Sequence, residues 1–153
     1  NRFVWYFIGI GSDKILDYCN NNDIKNVVIK GEFKPEEINQ LYQSIDIVNN
    51  LYGNDNPYLD YALSNKLYLA AQYCLPILVC PKTSMEHISV HYKFGFALDI
   101  NKKNIADELY DWYKKIDQKE LYVNCKMFNE KVVDDNLRCN SIISDFLGRR
   151  LND

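Results

Sequence analysis

Short, continuous apolar runs alternate with amphipathic segments along most of the chain. Within the runs, apolar and polar positions do not alternate, which is typical of strands covered on both faces in a parallel sheet. The runs predict strands at residues 3–8, 27–29, 45–48, 76–80 and 94–100. The segments between them space their apolar residues as helices do, so strands and helices are expected to alternate.

Capping and turn residues set the predicted bounds of the helices. Ser12 predicts a helix start before residues 13–20, and Pro35 with two glutamates supplies the residues that favour a first turn. Asn, Gly, Asp and Pro crowd residues 49–63, which predicts a long irregular loop. The remaining helices are predicted at residues 64–73, 84–91, 104–116, 120–134 and 137–147, so that the terminal helices cover roughly residues 104–148.

This order of elements predicts a single α/β domain over residues 1–153. Strands that alternate with helices at short spacing form right-handed units, which build a Rossmann-like parallel sheet with helices on both faces. Ligands bind such sheets beyond the carboxyl ends of the strands. The loops expected to carry function are therefore residues 9–12, 31–35, 49–64 and 81–86.

Composition narrows the classes of partner and compartment. The net charge is −3, whereas nucleic-acid partners favour a basic surface, so no nucleic-acid partner is expected. No apolar stretch approaches the length of roughly 20 residues that a membrane helix needs. Five cysteines without a CxxC pair favour reduced thiols and a cytoplasmic location. The first residue is not Met, and we expect the chain to be a segment of a longer protein.

Two loops carry groups suited to a phosphate. Gly9 and Gly11 would let backbone N–H groups approach an anion at the start of a helix, with Ser12 beside it. Lys66 lies in the first turn of the helix that begins at Ser64. A cation there is unfavourable with the helix dipole, unless it neutralises a bound anion. A tight strand-to-helix connection and a solvated lysine are the alternative interpretations.

Other polar residues have simpler interpretations. Glu86 either holds ribose hydroxyls or caps the helix that it begins. His87 and His91 are four residues apart, but no third ligand accompanies them, so no metal site is expected. Asp46 is expected inside a strand, bonded to neighbouring backbone. Asp55 and Asp60 are expected to be loop acids.

A membrane-facing edge is one interpretation of the aromatic and basic residues near the end of the chain. The residues concerned are Trp112, Tyr113, Lys114, Lys115, Arg149 and Arg150. Helix packing and a solvated chain end are the simpler interpretations.

Taken in order, these pieces resemble the carboxyl-terminal domain of GT-B-fold glycosyltransferases. The similar features are the strand and glycine loop of residues 7–12 and the strand, glycine, helix and strand of residues 27–47. A lysine-led helix that begins at Ser64 and runs to a strand after Pro76 is also similar. The resemblance covers residues 7–95.

The spacing from Lys66 to Pro76 is the most specific part of the resemblance. It is similar to that of bacterial galactofuranosyltransferases and of capsule or O-antigen sugar transferases. Glu86 and Gly95 also fall where the family often has a glutamate and a glycine. The chain departs from the family at Leu69, where many members have a ribose-binding glutamate. It departs again at Tyr73 and Cys74, which replace a small residue and a glycine.

The resemblance implies a donor site for a UDP- or GDP-linked sugar, with no further cofactor and no metal. Lys66 would be the catalytic residue, stabilising charge on the leaving diphosphate. The whole enzyme would transfer a sugar to a surface polysaccharide or glycolipid, with an amino-terminal acceptor-binding domain missing from this chain and a peripheral membrane contact. The donor-site residues so implied are Gly9, Gly11, Ser12, Asn49, Asn50, Tyr52, Ser64, Asn65, Lys66 and Glu86.

Two other classes of function stay open. One is a sugar-nucleotide epimerase-like enzyme on the same fold. The other is a non-enzymatic binding or interaction module, flavodoxin-like or otherwise. A receiver-like module is disfavoured, because the ends of the first and third predicted strands carry Gly9 and Asn49 rather than clustered acids.

Overall fold

The computed structural model describes residues 2–150, with side chains as far as residue 148. The chain divides into two compact units, residues 1–44 (unit 1) and residues 45–153 (unit 2). The predicted α/β class, with parallel strands flanked by helices in a Rossmann-like manner, is confirmed. The strands form one two-stranded and one three-stranded sheet instead of the single sheet that the sequence predicts.

Unit 1 is a small parallel pair of strands with short helices. Residues Trp5 to Ile8 pair in register with Val27 to Lys30. Of the buried apolar side chains in the described residues, only Cys19 belongs to this unit. Its elements are β1 (Trp5–Ile8), α1 (Asp13–Asn21), β2 (Val27–Lys30), a 3-10 turn (Pro35–Glu37) and α2 (Ile38–Gln43).

The predicted turn at Pro35 is stabilised by a carboxylate. Glu37 Oε2 accepts a hydrogen bond of 2.7 Å from the Lys34 N–H, and Oε1 accepts one of 3.3 Å from Lys30 Nζ. The bond from the Lys34 backbone, followed by the contact with Lys30, lowers the pKa of the Glu37 carboxyl. A proline and an acidic residue therefore begin this segment as their positions predict.

Unit 2 is a three-stranded parallel sheet with helices between and after its strands. The strands lie in the order β3, β4, β5, and each pairs in parallel with the next. Its elements are β3 (Val48–Asn50), α3 (Pro57–Tyr61), α4 (Asn65–Gln72), β4 (Ile77–Val79), α5 (Ser84–His91), β5 (Gly95–Ala97), α6 (Ile105–Lys114) and α7 (Gln118–Arg150).

The core of unit 2 lies around α4, β4 and the first half of α7. Phe128 of α7 is the centre of an aromatic cluster, with ring centroids 6.0 Å from Tyr68, 5.2 Å from Tyr92 and 5.3 Å from Phe94. The side chains of α4 and β4 fill the space beside it, with Leu67, Ala70, Ala71, Ile77 and Val79 all at 0% exposure.

Helix α4 ends in a left-handed turn at Cys74. This residue has φ +53°, a conformation that glycine adopts more readily than other residues. The Leu75 N–H donates to Ala70 O at 2.8 Å and the Cys74 N–H donates to Ala71 O at 3.2 Å. These two bonds close a Schellman-type helix end, which turns the chain directly into Pro76 and β4.

Helix α7 is one continuous element where the sequence predicts two. The predicted gap at residues 135–136 contains no proline or glycine, and Lys131 pairs with Asp135 one turn further on. From Val133 to Gly148 every side chain is exposed. Six large apolar side chains there are 50–63% exposed: Val133, Leu137, Ile142, Ile143, Phe146 and Leu147.

Two further predictions near β3 are wrong. The strand begins at Val48, three residues later than predicted, so Asp46 precedes the strand and is exposed. Burial raises the pKa of the Tyr113 hydroxyl, and the nearby Asp46 carboxylate adds to the rise.

The predicted loop of residues 49–63 contains α3, because Asn56 caps it by accepting a hydrogen bond from the Leu59 N–H at 3.0 Å.

We expect Gly95→Ala to destabilise unit 2. A Cβ at Gly95 would lie 2.0 Å from Ser89 Oγ, and Ser89 is fully buried, with its hydroxyl bonded to Met85 O. The substitution should lower the free energy of unfolding in urea by about 1–3 kcal/mol. Gly148→Ala is the control, because a Cβ there meets no atom within 4 Å. An unchanged midpoint for Gly95→Ala would contradict this close approach.

The five thiols should react with an alkylating reagent at very different rates. Cys125 is buried, and burial followed by its contact with Cys74 raises the pKa of its thiol to about 12. Because the thiolate is the nucleophile, Cys125 should be alkylated slowly at pH 8, whereas the exposed Cys139 should react first. Peptide mass spectrometry over time checks the order, with the chain unfolded in urea as the control in which all five react.

Candidate functional site

A cavity of about 270 Å³ lies at the carboxyl ends of β3 and β4, in unit 2. None of its lining residues carries a formal charge, and apolar and hydroxyl or amide side chains are mixed. The cavity is lined by Asn50, Tyr52, Gly53, Tyr58, Leu59, Ala62, Leu63, Ser64, Cys80, Thr83 and Met85. This is the edge of a parallel sheet at which ligands are expected to bind.

Two hydrogen bonds between backbone and side-chain groups connect the loop after β3 to the loop after β4. The Gly53 N–H donates to Cys80 Sγ at 3.2 Å, and Asn54 Nδ2 donates to Pro81 O at 2.8 Å. Gly53 has φ +103°, which a residue with a side chain adopts only under strain. The wall of the cavity is therefore a defined turn and not a loose loop.

The Lys66 ammonium lies beside this cavity. Nζ donates to Asn49 O at 3.0 Å and lies 5.0 Å from the centroid of the Tyr52 ring. Among the described residues, no carboxylate pairs with it. Ser64 caps the same helix end, because its Oγ accepts a hydrogen bond from the Lys66 N–H at 3.2 Å. A half-buried cation at a helix start is thus held only by a carbonyl and an aromatic face, which suits an anionic ligand.

Asn50 lines the cavity and carries a buried amide oxygen. It is 5% exposed, and its Oδ1 is buried without a hydrogen-bond partner in the described residues. A buried acceptor left unpaired costs about 1–3 kcal/mol. Asp60 of α3 also has a buried, unpartnered Oδ1, next to the lining residue Leu59.

Glu86 acts as a helix cap. Its Oε2 accepts a hydrogen bond of 2.6 Å from the Lys82 N–H, while the Glu86 N–H donates to Thr83 Oγ1 at 3.2 Å. Thr83 Oγ1 in turn donates to Cys80 O at 2.8 Å. The capping role that the sequence allowed is therefore observed. The other interpretation of Glu86, a contact with ribose hydroxyls, stays a prediction.

Asn49 and Asn65 contribute differently from what the sequence implied. The Asn49 side chain accepts a hydrogen bond from the Leu51 N–H at 3.1 Å, and it is the Asn49 carbonyl that reaches Lys66. Asn65 is exposed at the first position of α4. Asn50, Tyr52 and Ser64 line the cavity and Lys66 adjoins it, so four of the predicted residues come together in unit 2.

Gly9, Gly11 and Ser12 belong to unit 1, where they connect β1 to α1. Gly9 has φ +138° and Gly11 φ +83°, so the turn uses the conformational freedom of both glycines. The Gly9 N–H donates to the carbonyls of Lys30 and Gly31, at 3.2 and 3.1 Å. Ser12 occupies the N-cap position without a capping bond, because its backbone is helical and its Oγ donates to Lys30 O at 3.1 Å. The prediction that Ser12 caps α1 is therefore wrong.

Sequence reasoning missed several lining residues. Tyr58, Leu59 and Leu63 enter the cavity because α3 forms within the predicted loop, for which Asn56 followed by Pro57 was the available signal. Cys80, at the end of the predicted strand of residues 76–80, is half-buried and accepts a hydrogen bond from the loop after β3.

Other predicted groups lie apart from the cavity lining. Within the described residues, no three His, Cys, Asp or Glu side chains are grouped as a metal site requires. His87 and His91 are exposed, and the His91 ring contacts Tyr92 edge-on. Trp112 stacks on Phe96 with ring centroids 4.8 Å apart, which agrees with helix packing. The side chains of Arg149 and Arg150 lie outside the described residues.

A second, smaller hollow lies at the amino ends of β4 and β5, the opposite edge of the same sheet. Pro76, Phe94, Lys115 and Asn124 are among its lining residues.

No family model matches the chain, and comparisons with curated proteins and with solved structures also found no match. The resemblance to GT-B glycosyltransferases therefore stays a prediction from the residues quoted for it. None of the helices in the described part of the chain has both the length and the apolar character needed to cross a membrane.

We expect Ser64→Ala to lower the free energy of unfolding by about 1 kcal/mol, because it removes the acceptor for the Lys66 N–H at the start of α4. Ser64→Asp, which keeps a capping oxygen, should retain most of the stability. Urea denaturation followed by circular dichroism measures both. Equal losses in the two variants would mean that Ser64 acts through packing and not as a cap.

Proposed function

We propose that this chain is the nucleotide-sugar-binding part of a glycosyltransferase, with the donor diphosphate bound at Lys66. The observation that carries the proposal is the Lys66 ammonium. It is half-buried at the carboxyl end of β3, lacks a carboxylate partner among the described residues, and lies beside a neutral cavity. A bound diphosphate supplies the negative charge that would pair with the Lys66 ammonium.

The start of α4 adds to the same preference for an anion. The first N–H groups of a helix have no partner inside the helix, and they carry the positive end of its dipole. Lys66 lies in that first turn, so side chain and backbone favour the same kind of ligand. The cluster of Asn50, Tyr52, Ser64 and Lys66 agrees with the donor site implied by the resemblance.

The turn at Cys74 accounts for one departure from the family. The family that the chain resembles has a glycine at the corresponding position, and Cys74 adopts the left-handed conformation that glycine favours.

In this proposal Lys66 contributes to catalysis through charge. Glycosyl transfer breaks the bond between the anomeric carbon of the sugar and the diphosphate oxygen, which leaves additional negative charge on the diphosphate. A fixed ammonium group stabilises that charge more as it develops than it stabilises the intact donor. The acceptor and any general base would come from an acceptor-binding domain elsewhere in a longer protein. The contributions predicted for Gly9, Gly11 and Ser12, the peripheral membrane contact and the cytoplasmic location stay predictions.

Binding of a protein partner through α7 is a second candidate function. Its support is six large apolar side chains from Val133 to Leu147 that are 50–63% exposed. Large exposed apolar surface commonly marks an interaction site. This candidate needs no ligand at Lys66, so nucleotide binding distinguishes the two.

We expect Lys66→Ala to weaken binding of UDP or GDP at least tenfold without loss of folding, because it removes a charge-assisted contact worth about 1.5–3 kcal/mol. Isothermal titration calorimetry and ligand-observed NMR on the purified chain measure the affinity, and urea denaturation measures the stability. Lys66→Arg, which keeps the charge but not the geometry, should lose less affinity.

Lys115→Ala is the matched control, since it removes one positive charge at the opposite edge of the same sheet. It should leave the affinity unchanged if the diphosphate binds at Lys66. Equal weakening of the affinity in the two variants would mean that the effect comes from net charge and not from a contact at Lys66. The proposal is contradicted if Lys66→Ala leaves the affinity for UDP and GDP unchanged.

A further inference from the structure

We infer that Cys74 and Cys125 are a modification site, at which a low-molecular-weight disulfide oxidises the two thiols to a reversible disulfide between α4 and α7. The basis of the inference is a pair of thiols that two packed helices hold in contact. Neither residue lines the cavity beside Lys66, so the inference goes beyond the proposed function and does not rest on it.

The packing of α4 on α7 brings the two thiols together. Cys74 lies two residues after the end of α4, and its side chain is hydrogen-bonded to that of Cys125 in α7. About one turn away along each helix, Asn129 Nδ2 donates to Ala71 O at 3.1 Å. A disulfide requires two side chains that face each other at short range. This pair already meets that requirement in the folded chain.

The two thiols differ in their access to an oxidant. Cys74 is partly exposed, whereas Cys125 has 0% exposure. Burial raises the pKa of both thiols, but the hydrogen bond between them partly offsets the rise at Cys74 and adds to the rise at Cys125. Cys74 is therefore the thiol that ionises first and meets the oxidant, and Cys125 reacts with the group attached to Cys74.

The oxidation takes two exchange steps, which glutathione disulfide illustrates. Cys74 loses its proton and attacks one sulfur of the oxidant, so that a mixed disulfide forms and one glutathione thiolate leaves. Cys125 then loses its proton and attacks the Cys74 sulfur, so that the protein disulfide forms and the second glutathione thiolate leaves. The two thiolates take up the two protons. The protein loses two electrons, and the oxidant is reduced to two thiols.

The other cysteines provide internal comparisons. Cys19 is buried in unit 1, and Cys80 Sγ accepts a hydrogen bond from the Gly53 N–H. Cys139 is exposed on α7, beyond the turns that the core of unit 2 anchors. We expect Cys139 to stop at the mixed disulfide with glutathione, because its side chain faces solvent.

Glutathione disulfide added to the purified, reduced chain at pH 8 tests the inference. Peptide mass spectrometry without reduction should find the peptides of Cys74 and Cys125 linked, with the loss of two hydrogen atoms, as the main disulfide within the chain. Dithiothreitol should restore both thiols. The urea midpoint of the oxidised chain should lie above that of the reduced chain, because the link closes a long loop in the unfolded state.

Two variants separate the two steps of the reaction. Cys125→Ala should leave Cys74 as the mixed disulfide with glutathione, because the second thiol is missing. Cys74→Gly should leave Cys125 as a free thiol, because the buried side chain meets the oxidant only through Cys74. Glycine suits the left-handed backbone at position 74, so this variant should fold. Circular dichroism checks the fold of both variants.

Three results would overturn the inference. The first is wild-type protein in which Cys74 stops at the mixed disulfide or stays a free thiol. The second is a link between Cys74 and Cys125 that forms in the folded chain no faster than in the chain unfolded in urea, since the fold would then contribute nothing to the pairing. The third is a lower urea midpoint after oxidation, which would mean that the folded positions of the two residues do not fit a disulfide.

Discussion

The burial of α4 between the strands of unit 2 and α7 is the interaction on which the rest of this unit depends. Leu67, Ala70 and Ala71 have no exposed surface, and Asn129 of α7 donates a hydrogen bond to the Ala71 carbonyl at 3.1 Å. Two adjacent alanines let the neighbouring elements approach closely. The helix is therefore fixed in position, and Ser64 and Lys66 at its start are fixed with it. The candidate site is placed by an apolar contact that contains none of its polar residues.

The cavity itself depends on polar groups that the fold leaves unused. A protein of this size normally pairs nearly all of its buried polar atoms. Among the described residues, Asn50 Oδ1 has no partner at the end of the edge strand β3, and Lys66 has a carbonyl in place of an anion. Both features cost stability in the free protein. Groups without their usual partners are expected where a bound ligand completes the surface, as in the proposed donor site.

The sequence predicted those parts of the fold that are determined locally. Helix α5 begins and ends where the pattern predicts, and Ser64 caps α4 as its position predicts, because hydroxyl caps and apolar spacing act within a few residues. The position of β3 was missed, because Asn49 and Asn50 are polar and only their pairing with Leu78 and Val79 makes them part of a strand.

The candidate site was predicted in part for the same reason. Lys66 and Ser64 belong to one local signal and were identified, and Asn50 and Tyr52 came from the family resemblance. The residues of α3 that complete the cavity were missed, because their placement depends on the cap at Asn56 and on contacts between loops that are far apart in the sequence. The division into two units likewise depends on long-range packing, which no local pattern reports.

Helix α7 is continuous in its geometry, but its two halves are stabilised to different extents. Leu121, Cys125 and Phe128 anchor its first turns in the core of unit 2, whereas every side chain from Val133 to Gly148 is exposed. An isolated helix of about 15 residues is marginal in water, and this segment is rich in asparagine, serine and β-branched residues. The amide protons of the anchored turns are therefore protected from solvent exchange by the global stability of the unit. Those of the exposed turns are protected only by the helix itself, so protection falls steeply along a single unbroken helix.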